Sequence, residues 1–103
     1  MAITKNILTK QIKRIETLNG AYNIFEDDKR TSNAILEKTI DEVDLLIAGA
    51  IDWIKRYRSN KNAIQMLNNL ESELNNLDEV NIVVLNIAVR TIDFINYYIF
   101  DKN

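Results

Sequence analysis

Neither cysteine nor histidine occurs anywhere in the chain, proline is absent, and glycine appears only at Gly20 and Gly49. Without cysteine there is no disulfide framework and no thiolate metal site. Without histidine the commonest general base, the commonest metal ligand and the usual pH switch are all missing. Zinc chemistry is left with carboxylates alone, a poor donor set for that metal. All-β folds lean on glycine and proline for their turns, so their scarcity points to helices. Charge of one sign is also lacking. The net charge of −2 gives no overall attraction to nucleic acid or to a membrane.

What is present is apolar and helical in pattern. The 103 residues suit one domain, 1–103, with a core that needs no staple. Heavy use of Ile, Asn and Lys fits an AT-rich genome, such as that of a low-GC bacterium or its phage. The charge is uneven: residues 1–25 carry Lys5, Lys10, Lys13 and Arg14 against Glu16, and the remainder is acidic. We expect the basic and acidic parts to lie against each other within one fold. The opening "MAITKNILTKQIKR" has no long apolar run and no small-residue cleavage site, so it does not read as a secretory signal, and a cytoplasmic location is expected.

Four helical segments are predicted. The first covers about 4–18, with Leu8, Ile12, Ile15 and Tyr22 on one face, and Asn19-Gly20 as its stop. "AYNIF" then tucks Tyr22, Ile24 and Phe25 into the core, and "EDDKR" is a charged loop. The second segment runs to about residue 58 from a cap at Thr31 or Ser32. Leu36, Ile40, Val43, Ile47, Ala50, Ile54 and Tyr57 form a heptad-like seam along it. A second stripe, Ile35, Leu46 and Trp53, implies two neighbours. Asn60 or Asn62 caps the third segment, about 62–76, whose seam is Ala63, Leu67, Leu70, Leu74 and Leu77. Asp78 caps the fourth, which contains "VNIVVLNIAVRTIDFINYYIF".

That last run is long enough to raise the question of a membrane span. Arg90 and Asp93 lie near its middle, where each would cost ~2.5–3.5 kcal/mol, and Asn86 and Asn96 add to the penalty. We expect no span. On a helical wheel Asn86, Arg90, Asp93 and Tyr97 fall within about 60° of one another, and most of the remaining circumference is apolar. Such a helix is either the central rod of the bundle or partly covered by a second chain. Arg90 and Asp93 are spaced to pair along the helix. The fold expected is therefore an all-α bundle of about four helices, with the second and fourth segments as its core.

Chemistry is scarce. Glu37, Asp41 and Asp44 share one face, and Asp41-x-x-Asp44 resembles, loosely, the carboxylate pairs that hold magnesium in all-helical nucleotide pyrophosphohydrolases. The upstream Glu pair of that family is missing, and the third segment offers only Glu71 and Glu73. "DLLIAGAIDWIKRY", 44–57, resembles an early helix of phage head–tail connector proteins over that stretch alone. "WIKRYRSNK", 53–61, is a basic-aromatic cluster that reads as a charged helix end. No phosphate-binding glycine loop and no nucleophile elbow occurs.

The expectation is a small non-enzymatic interaction module with no catalytic, metal or cofactor residues. An inhibitor or immunity-type protein, such as an anti-defence protein, fits that description. Its partner would be another protein or a second copy, a homodimer being the commonest soluble oligomer. No nucleic acid, membrane or small-molecule substrate is expected. Asn86, Arg90, Asp93 and Tyr97 are the candidate partner-binding residues. The alternatives are a metal-dependent nucleotide hydrolase using the acidic face, or a structural subunit of a phage or other assembly.

Overall fold

The computed structural model describes residues 3–102, and every regular element in that range is a helix. In order they are α1 (Lys5–Phe25), α2 (Lys29–Tyr57), α3 (Lys61–Asn75) and α4 (Val83–Tyr98). The all-α four-helix bundle expected from the pattern is what forms. Its radius of gyration, 13.7 Å, matches the ~13 Å of a compact chain of this length.

The centre of the bundle is α2. It packs against α1, α3 and α4, whereas α1 and α3 do not approach each other. The expected two neighbours are thus three, because α2 has buried side chains around most of its circumference. Leu36, Val43, Ile47, Ala50 and Ile54 are buried along the first seam, and Leu46 and Trp53 along the second. Tyr57, the last position of the first seam, is 60% exposed. It lies in the final turn of α2, where its ring meets that of Trp53 at 5.1 Å on the outer side of the helix end.

Helix α4 is not a central rod. Val84, Ile87, Ala88, Thr91, Ile92 and Ile95 are buried, while the opposite arc is left open. Thr91 is polar yet fully buried, and its hydroxyl donates to the Ile87 carbonyl at 2.8 Å, which satisfies it inside its own helix. The start of α4 also differs from expectation. Asp78 caps nothing; instead Asn81 Oδ1 accepts from the Val83 amide at 2.8 Å, and its Nδ2 donates to the Glu79 carbonyl at 3.1 Å. This local turn holds the chain out of the helix until Val83.

Two other boundaries moved. The Asn19-Gly20 stop fails, and α1 continues to Phe25 with Gly20 at negative φ. Ile24 and Phe25 therefore ride on an exposed helix end, 76% and 45% exposed, and only Tyr22 packs against the core. Asp28, not Thr31 or Ser32, caps α2, because its carboxylate accepts from both the Thr31 amide and the Thr31 hydroxyl, at 3.2 and 3.0 Å. Those bonds hold the Asp28 carboxyl below its ordinary pKa. Asn60 caps α3 as predicted.

Since a Cβ on Gly20 would touch nothing within 4 Å, Gly20→Ala should be accepted without a clash. We expect it to raise stability by about 0.5–1 kcal/mol, read as a higher thermal midpoint by circular dichroism. Gly49 is different: a Cβ there would lie 3.3 Å from Leu8 Cδ2, so the missing side chain leaves room for Leu8 of α1 against α2.

Candidate partner-docking face

The exposed arc of α4 is built by its buried one. Ile87, Thr91 and Ile95 anchor the helix on the core, and the 100° step per residue then turns positions 86, 90, 93 and 97 outward together. Asn86, Arg90, Asp93 and Tyr97 are all exposed, Tyr97 by 66%. Val83 and Val89, one on each side of this stripe, are 43% and 46% exposed. Met66 of α3 and Ile82 just before α4 add further uncovered apolar surface, at 51% and 61%.

Arg90 does not pair with Asp93. Its guanidinium donates through Nη1 and Nη2 to Glu73 Oε1 and Oε2 of α3, both at 2.8 Å. Nη1 also lies 3.4 Å from Asn86 Oδ1. A two-toothed carboxylate on the neighbouring helix matches the planar fork of arginine better than an aspartate one turn along the same helix. The bonded guanidinium holds the Glu73 carboxyl below its ordinary pKa. Both side chains are about half exposed, so the pair contributes well under ~1 kcal/mol to stability. Its effect is to fix where the guanidinium sits.

Two hollows flank the stripe. One, of about 230 Å³, lies between α3 and α4, with Met66, Leu70 and Phe94 in its walls and the Glu73–Arg90 pair at its edge. The other, of about 440 Å³, is open and bounded by Asp93, Asn96, Tyr97 and Lys102.

The acidic face of α2 divides. Glu37 and Asp41 are exposed, and Asp44 is half-buried against Glu71 of α3. Burial, and then the carboxylate of Asp44 beside it, push the Glu71 carboxyl up to about 7. Asp44 Oδ1 and Glu71 Oε2 are buried with no hydrogen-bond partner. Glu73 is taken up by Arg90. Among the described residues no group of three or more carboxylates gathers that could hold a metal ion.

The basic-aromatic cluster is tied into the fold. Lys5 and Arg58 lie over the Trp53 ring at 5.4 and 5.2 Å, and Arg58 also faces Tyr98 at 5.8 Å. Helix α1 does pack along α2, but the ion pairs among the described residues are Lys38–Glu42, Arg56–Asp52 and Arg90–Glu73, none of them from α1. No described helix is long and apolar enough to cross a membrane.

No protein-family model matches the chain, and searches of curated proteins and of solved structures find no match.

Proposed function

We propose that the chain is a non-enzymatic interaction module that docks the exposed face of α4, with Asn86, Arg90, Asp93 and Tyr97 at its centre, on another protein chain. The observation that carries this reading is the run of exposed apolar side chains beside the stripe, Val83, Val89 and Tyr97 on α4, with Met66 of α3 across the hollow that Arg90 and Phe94 also line. Aromatic and arginine side chains among apolar ones are the composition of interface centres.

A second copy is the partner the face suits first. A two-fold contact sets each residue against the same surface, so the patch must complement itself. This stripe carries Arg90 and Asp93 one turn apart, and an antiparallel copy would bring each opposite the other. An inhibitor or immunity-type role, or a place in a larger assembly, would use the same face on a different chain.

Light scattering on a sizing column tests it. The wild type should show a mass that rises with concentration toward twice 12.0 kDa, and Arg90→Glu should stay near 12.0 kDa with its helicity unchanged. A doubled mass that persists in Arg90→Glu would place the contact elsewhere and remove this face from consideration. A wild type that stays monomeric leaves a different protein as the partner.

A further inference from the structure

Away from α4, a groove of about 330 Å³ runs between α1 and α2, walled by Lys13, Arg14, Thr17 and Leu18 on one side and by Lys38 and Glu42 on the other. Its volume falls at the lower end of the ~300–1,000 Å³ typical of small-molecule sites. The walls are largely apolar, because the lysine and arginine stems line them while the charged heads stand at the rim. Glu42 is the one buried residue in the lining, only 5% exposed, and so forms the floor. Its Oε2 is buried with no hydrogen-bond partner. Its Oε1 has the Lys38 ammonium 3.8 Å away, beyond hydrogen-bonding length.

A buried carboxylate without donors is an unusual thing to keep in a small core. Position 42 lies on the second stripe of α2, whose other members Ile35, Leu46 and Trp53 are apolar, so an apolar residue there would avoid the cost. The rim is equally uneven, with Lys13, Arg14 and Lys38 around a single carboxylate. An anion alone would leave Glu42 without a donor, and a cation alone would meet the three bases. A group carrying both charges close together answers both needs.

We propose that this groove binds a free α-amino acid with an apolar side chain, its ammonium on Glu42 and its carboxylate on Lys38 and Arg14. The short separation of the two charges in an α-amino acid suits Lys38 and Glu42, which stand one helical turn apart on α2. The ligand's side chain lies along Leu18 and the Thr17 methyl. The ammonium meets Glu42 Oε1, the oxygen on the Lys38 side, and the soft terminal torsion of glutamate lets the carboxylate turn to receive it.

Titration calorimetry and amide chemical-shift mapping with L-leucine on the intact chain test the site, alongside N-acetyl-leucine and leucine amide. Leucine should bind saturably and shift amides in 13–18 and 38–42. Each blocked form should bind about tenfold more weakly or worse, since each loses one charged hydrogen-bonding end. Glu42→Gln should weaken leucine by about tenfold while keeping the helical spectrum. If that variant does not fold, Lys38→Met and the blocked ligands on the wild type decide the question, with the same loss expected. No saturable binding of leucine, isoleucine, methionine or phenylalanine, or equal binding of the blocked forms, would overturn the proposal.

Discussion

Trp53→Ala should cost about 3–5 kcal/mol, a large share of the ~5–15 kcal/mol that holds a domain of this size together. Trp53 is the chain's only tryptophan, and just 7% of it is exposed. Its ring meets Tyr57 at 5.1 Å and lies under the cations of Lys5 and Arg58. Arg58 also reaches Tyr98, so this one ring ties the end of α2 to the start of α1 and the end of α4. Trp53→Phe keeps an aromatic face and should cost less, about 1–2 kcal/mol. Urea unfolding followed by circular dichroism measures both. A loss under about 1 kcal/mol for the alanine variant would show that α1 and α4 close over the space.

How far the fold could be read from the sequence depended on how local each signal was. For α3 the reading was nearly complete: Ala63, Leu67, Leu70 and Leu74 are buried, and the cap at Asn60 lies where the first turn needs it. At the start of α2 the signal was present but ambiguous. Asp28, Thr31, Ser32 and Asn33 are all residues that cap well, and the choice fell to Asp28 because Thr31 supplies it with two donors. Gly20 misled for another reason. A glycine inside a helix costs only about 1 kcal/mol, and half-burial of Ala21 and Tyr22 beyond it offsets that.

On α4 the candidate stripe was legible because it depends on nothing but the helical step: positions 86, 90, 93 and 97 face outward together. The partner of Arg90 was not legible. A helical wheel compares residues within one helix, and Glu73 lies on another, 17 positions away along the chain. The same limit hid the buried polar groups. Position 42 does fall on the second stripe, seven residues after Ile35 and four before Leu46, while Glu37 faces away, but a glutamate there masks the apolar pattern and its burial shows only when α1 is laid across α2. Glu71 likewise meets Asp44 across the α2–α3 contact, which no spacing within α3 can announce.

That meeting makes stability fall as pH rises. In the unfolded chain Glu71 has the ordinary glutamate value near 4.5, and in the fold it is held at about 7. Between those values the native state keeps a proton that the unfolded state has released, so the slope of stability against pH is negative there. The contribution is full below about 4.5 and gone above about 7. Because the pair is only half-buried, solvent screens it, and the total change should be about 1–2 kcal/mol rather than the larger figure the raised value alone implies. Glu71→Gln should remove this part of the slope, since its amide can donate to Asp44 Oδ1 at any pH. The variant should therefore match the wild type near pH 4.5 and exceed it by about 1–2 kcal/mol at pH 8. Urea midpoints of both proteins across that range provide the measurement. Parallel curves would mean that Asp44 and Glu71 sit far enough apart in solution to ionise independently, and the α2–α3 contact would then be looser than the packing of Leu67 and Leu70 implies.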